Sequence, residues 1–249
     1  MSKTEEWKNS EIKALGVTAL KRNFKMCVIA SFFMSLYVPL AAAVSASGRN
    51  IWRSSGDSLG EKLFDLASTM ATGGTPILVL KLMGINGVVL VMLNVVIFNA
   101  LQTGCARFFL KNCTENASAD DIGWIFKERY FTALLANLFV DVIITITGTL
   151  LFFPALVARY SYILTSYIIA DEEDISWIKA LRRSRRMMRG RKWKYFVYDL
   201  TFIGWMLISM ATLGLAGVFF YNPYKDCSDA ELYKKIKADY EKQAREKSG

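Results

Sequence analysis

Four stretches of this chain carry almost no charge, and each is long. Met26–Gly48 and Leu82–Ala106 contain no charged residue, Phe131–Ala170 contains only Asp141 and Arg159, and Tyr195–Tyr224 contains only Asp199. A helix that crosses a ~30 Å hydrocarbon core needs about 20 mostly apolar residues. Core helices of soluble proteins are rarely so long and so poor in charge. The expected fold is therefore an all-α polytopic membrane helix bundle. Overall composition says less, because 53% hydrophobic residues is only modestly above the ~45–50% of ordinary domains.

Span boundaries follow from length. An amphipathic helix over residues 1–25, with Ile12, Leu15, Ala19 and Leu20 at helical spacing, leads into a first span at about 26–47. Pro39 should kink that span. A polar loop over Arg49–Pro76, with a short helix around Leu63–Ala67, precedes a second span at about 82–105, and Arg107–Tyr130 reads as another polar loop. Phe131–Ala170 would be ~60 Å long as one helix, so it should divide. Phe153-Pro154 is the natural turn, giving spans at about 131–152 and 154–170. The last apolar run gives a fifth span at about 195–212 and, after a break at Leu213–Gly217, a sixth at about 215–235. A polar tail over 236–249 follows.

Between the fourth and fifth spans lies DEEDISWIKALRRSRRMMRGRKWK, Asp171–Lys194. Asp174 can cap a helix that Gly190 stops. Trp177, Ile178, Leu181 and Met188 would line one face. The basic residues Lys179, Arg182, Arg183, Arg185, Arg186, Arg189, Arg191, Lys192 and Lys194 would meet lipid headgroups or a partner. We expect a cytoplasmic amphipathic interfacial helix over 174–190. With six spans and both termini cytoplasmic, 26 of the 31 Lys and Arg residues lie inside, as the positive-inside rule asks. Five spans would move the seven C-terminal basic residues outside. The net charge of +9 flanks apolar spans, so it points to anionic lipid and not to nucleic acid.

Histidine is absent, which removes the commonest general base and metal ligand. The four cysteines Cys27, Cys105, Cys113 and Cys227 form no CxxC pair and read as free thiols. No phosphate loop or nucleophile elbow is present. We expect no cofactor, no metal site and no catalytic residues, and the balance leans away from an enzyme.

Charges inside spans are costly, by ~2.5–3.5 kcal/mol on insertion scales. Asp141 and Arg159 differ by about 7–8 Å in depth across a hairpin, so an intramembrane pair is expected, chiefly to pin that hairpin. Tyr160 and Tyr162 lie beside Arg159 and are expected in the core or lining a polar cavity. Asp199 should pair with Lys192, Lys194 or Lys225.

The second half also resembles a family of bacterial integral-membrane proteins catalogued as domain of unknown function nine-seven-five. The carrying residues are Pro154, Tyr160, Tyr162, Tyr167–Asp171, Ala180-Leu181, Ser184, Met187-Met188, Gly190, Lys192 and Phe196. Leu200–Trp205, Leu213-Gly214, Pro223-Tyr224, Ala230 and Tyr233 continue the series. Thr201 stands where Ser is usual, and Ala155 where Gly is usual. A weaker likeness covers Ala14–Phe33. The resemblance implies a bacterial cytoplasmic membrane and a final helix returning to the cytoplasm. It implies no substrate. The expected function is a non-enzymatic lipid-interacting or partner-binding membrane module, which could also self-associate. The alternative is a small-molecule or ion transporter using the Asp141/Arg159 region.

Overall fold

The computed structural model describes residues 7–35, 94–150, 152–172, 174–212 and 214–248, and every regular element among them is helical. The second half of the expected first span, the loop over 49–76 and the start of the second span lie outside these residues.

Helix α1 (Asn9–Arg22) buries Ile12, Gly16 and Ala19 on one face, and that face packs along the C-terminal helix. Asn23 breaks the helical path before α2 (Phe24–Ser35). The break leaves carbonyls in the last turn of α1 short of partners. Asn112 supplies one, donating through Nδ2 to the Ala19 carbonyl at 2.8 Å, while Arg22 returns a 2.6 Å bond to the Asn112 carbonyl.

The centre of the molecule is α3 (Asn99–Asn112), entered through a π-turn at Asn94–Phe98. Its residues are small or apolar on nearly every side, and ten of its fourteen residues are buried. Helices α2 and α4 and parts of the chain to the C-terminal side all pack on it. It extends past Cys105 to Asn112, and α4 (Ala119–Glu128) follows. The expected polar loop over 107–130 is thus largely helical. Its polarity is that of amphipathic helices whose apolar residues Phe108, Phe109, Ile122 and Ile125 face inward. Helix α4 starts in a capping box, in which the Ser118 backbone N–H donates to Asp121 Oδ2 at 3.0 Å.

Helix α5 (Tyr130–Leu150) coincides with the expected third span. Among the described residues it alone has a window, Tyr130–Thr147, long and apolar enough to cross a membrane. It packs against α6 (Phe152–Tyr162), whose first turn holds the Phe153-Pro154 pair expected to form the turn itself. The expected fourth span is two helices rather than one. Helix α6 ends in a turn at Ile163-Leu164, and α7 (Thr165–Asp171) continues from it.

The basic helix α8 runs Trp177–Met187. Its N-cap is Ser176 and not Asp174, which sits in the preceding turn. Gly190 follows the helix with φ +80°, a left-handed conformation that side chains with a Cβ resist, so the expected stop is where it was placed. The fifth segment bends at Thr201-Phe202 between α9 (Lys192–Leu200) and α10 (Ile203–Ala211). Gly214, at φ +88°, makes the break expected at 213–217. A π-turn at Gly217–Tyr221 then runs directly into α11 (Asn222–Ser248). The expected polar tail is helical to Ser248, and Asp239 and Glu241 within it pair with Arg191 and Arg183.

Candidate functional site

Helix α11 is polar, and opposite charges on four other parts of the chain hold it. Lys225 meets Asp199 at 3.0 Å and Lys235 meets Glu11 on α1 at 3.4 Å. Lys237 pairs with Asp171, and Tyr233 donates its hydroxyl to the same carboxylate at 2.8 Å. Asp239 takes Arg191, and Glu241 takes Arg183 at 3.5 Å. Arg183 also reaches Glu172 at 3.0 Å. Arg129, at the start of α5, donates to the carbonyls of Glu172 and Ile175, fixing the segment from which α8 departs.

This arrangement divides the nine basic residues of 171–194 into two groups. Lys179, Arg182, Arg185, Arg186 and Arg189 are exposed. Arg183 and Arg191 are not available to lipid as expected. Arg191 is only 6% exposed, bound to Asp239 and to the Met187 carbonyl at 2.8 Å. Lys194 lies over the Trp7 ring at 4.3 Å. Partial burial, together with Arg185 nearby, pulls the Lys192 ammonium below its ordinary pKa. The opposite face of α8 buries Ala180, Leu181, Ser184 and Met187, and Trp177 packs on Phe139 of α5 at 5.9 Å. An open groove of 430 Å³ runs beside α8, with Glu172 and Asp174 on one side and Lys179, Arg183, Arg186 and Tyr240 on the other. Its walls carry both signs of charge.

A second polar cluster lies deeper. Tyr160 donates to Asp199 Oδ2 at 2.9 Å, and Lys225 Nζ sits 3.0 Å from Asp199 and 2.5 Å from Asp229. The rings of Tyr198 and Phe202 stand 5.1 and 5.4 Å from the same ammonium. One cation between two carboxylates and aromatic faces makes a compact polar node. Of the three partners expected for Asp199, Lys225 is the one used.

Asp141 and Arg159 are not brought together. Asp141 is 4% exposed, on the same face of α5 as buried Ala133 and Asn137, whereas Arg159 is exposed. The reason is helical phase. Consecutive residues of a helix cannot share a face, and α6 turns Tyr160 and Ser161 inward, so Arg159 points away. Tyr162 is half-buried. The sequence reading did not single out the node at Asn137. Its Nδ2 bonds the Asn99 carbonyl at 2.5 Å and Thr103 at 3.2 Å, and its Oδ1 accepts from Ser166 at 3.0 Å. A polar residue every turn along an apolar run, as at Asn137 and Asp141, is the signal that could have found it.

All four cysteines are free thiols and buried. Among the described residues no group of three or more acidic or cysteine side chains is placed to hold a metal ion.

Residues 125–240 match the family described as "Protein of unknown function (DUF975)". The matched stretch runs from α4 into α11 and contains the Tyr160–Asp199–Lys225–Asp229 cluster. No curated protein and no solved structure matches the chain.

Proposed function

We propose that this chain, which carries a domain of that family over residues 125–240, is a non-enzymatic membrane module whose basic cytoplasmic face engages anionic lipid. The observation that carries the reading is the inverted amphipathicity of α5. Phe131, Leu135, Phe139, Val142 and Ile146 recur every three or four residues and are exposed, while Ala133, Ala136, Asn137 and Asp141 on the other side are buried. Water favours the opposite arrangement. Hydrocarbon favours this one, because intramembrane polar groups turn toward protein. Ile203, Trp205, Leu207 and Ile208 on α10, with Phe219 and Phe220 beyond the turn, expose a second apolar surface of a kind that water-soluble monomers rarely carry.

Six crossings fit this reading. The pairs Asp199–Lys225 and Arg191–Asp239 are those of an antiparallel hairpin about Gly214, in which α9–α10 leaves the cytoplasmic side and α11 returns to it. Lys225 and Asp229 are tolerable at depth because Asp199 and Tyr160 meet them there. The exposed cations of α8 gather at the end of α5 that Arg129 marks, each contributing about 1 kcal/mol of attraction to an anionic leaflet.

The test compares the full chain with a variant in which Lys179, Arg182, Arg185, Arg186 and Arg189 are all Gln. The wild type should remain in the membrane pellet through alkaline carbonate and should co-purify with anionic phospholipid in a salt-dependent way. The variant should remain membrane-bound but lose the anionic enrichment. Release of the wild type by carbonate, or unchanged lipid selection in the variant, would refute the reading.

A further inference from the structure

Two of the buried thiols touch. Cys27 on α2 and Cys227 on α11 bring their sulfurs to 3.7 Å, although 200 residues separate them in sequence. Both are closed off, Cys27 at 0% and Cys227 at 1% exposure. A disulfide needs an S–S separation of ~2.05 Å, so the two sulfurs have about 1.7 Å left to close. The helices that carry them are already packed on each other. The pair is also polarised. Asn112 Nδ2 donates to Cys27 Sγ at 3.3 Å, and the Cys227 S–H donates to the same sulfur. Both donors therefore point at Cys27 Sγ. Cys105 and Cys113 are occupied differently, their S–H groups donating to the carbonyls of Ala30 and Phe109.

We propose that Cys27 and Cys227 form an oxidisable pair that hydrogen peroxide converts to a disulfide tying α2 to α11. Cys27 is the attacking sulfur. A lone pair on its sulfur forms an S–O bond as the O–O bond of hydrogen peroxide breaks, giving a sulfenic acid on Cys27 and a hydroxide that takes up the Cys27 proton to become water. The Cys227 sulfur then attacks the Cys27 sulfur. The S–S bond forms, the S–O bond breaks, and the departing hydroxyl leaves as water with the Cys227 proton. Two thiols and one peroxide become one disulfide and two waters, the two electrons passing from sulfur to oxygen. The oxidant class follows from burial, since only a small neutral molecule reaches sulfurs so enclosed. A thiol returns the pair to its reduced state by exchange. The inference is independent of the membrane reading.

The experiment uses the purified full chain, exposed to hydrogen peroxide, alkylated, digested without reductant and mapped by mass. The expected product is a Cys27–Cys227 cross-linked peptide pair, absent after dithiothreitol, with Cys105 and Cys113 still alkylatable. The oxidised protein should melt at a higher temperature than the reduced one, and Cys227→Ser should abolish both the cross-link and the shift. A Cys105→Ser/Cys113→Ser variant should retain both. The proposal is overturned if peroxide leaves Cys27 and Cys227 as thiols, if it drives either to sulfinic acid without the cross-link, or if the cross-link joins other partners.

Discussion

At the scale of single residues, charge in this molecule is resolved by partners far away in sequence. Lys225 is the sharpest case, held between Asp199 and Asp229 beside aromatic rings. Removing one partner of a buried ion cluster costs more than the cluster contributes, because the remaining charges are stranded. Lys225→Met should therefore destabilise the chain by about 3–5 kcal/mol. Asp199→Asn in the same background should restore part of the loss, and thermal melts of the single and double variants check the coupling. The Asp199–Lys225 contact was one of three pairings legible in the sequence, since all the candidates lay at comparable depth. The expected Asp141–Arg159 pair was argued from depth alone, and the structure buries Asp141 while leaving Arg159 exposed. Span position fixes how far along a helix a residue lies, and only packing fixes which way it faces. Cys27 and Cys227 had no signal at all, because nothing in sequence joins a residue at the mouth of one helix to another 200 positions on.

At the scale of elements, apolar runs are helical where they are described, and α5 is the best instance. A polar helix is harder to read from sequence, because polarity resembles loop. Helix α4 is such a case, although its Ser118-x-x-Asp121 start is a recognisable N-terminal signature. Partial burial pushes the Asp121 carboxyl up. Hydrogen bonds from Lys111 and Ser118, with the Lys111 charge, push it further down, so its pKa lies below the ordinary value. A carboxyl held low in the folded state contributes stability above its unfolded pKa of ~3.9, and that contribution is lost as pH falls through the folded pKa. Asp121→Asn should therefore lower the melting temperature at neutral pH, and the gap to wild type should close below pH ~4. A gap independent of pH would mean that the cap acts without its charge. The exposed stripe of α5 gives a second test. Val142→Arg places a charge near the middle of the helix and should impede insertion by about 2.5–3.5 kcal/mol in a translocon assay. A stripe facing water would tolerate the same change within about 0.5 kcal/mol.

At the scale of the whole molecule, the two ends of the chain are one assembly. Helix α1 lies along α11 so closely that a Cβ on Gly16 would come within 2.1 Å of Ser228 Oγ, and Lys235 pairs with Glu11 further along. Charge counting placed both ends on the cytoplasmic side by a rule about Lys and Arg. The helix contact bears on sidedness by an unrelated route, because Glu11 lies beside Lys235 and Gly16 beside Ser228, so α1 and α11 run antiparallel and the start of one lies at the end of the other. The sequence could not supply this contact, as small residues at Gly16 and Ser228 mark a close approach only once the partner helix is known. Sidedness can be read by chemistry, since the native cysteines are all buried and add little background to an engineered thiol. Ser10 on α1 and Ala244 on α11 are exposed. In the single variants Ser10→Cys and Ala244→Cys, a membrane-impermeant maleimide should label neither position in intact cells and both in inside-out vesicles. Labelling of one position from each side would break the even number of crossings and, with it, the hairpin about Gly214. It would also require α1 and α11 to part in the membrane. Labelling of both only from the outside would keep the hairpin and reverse the chain, leaving the cations of α8 facing away from the leaflet that attracts them.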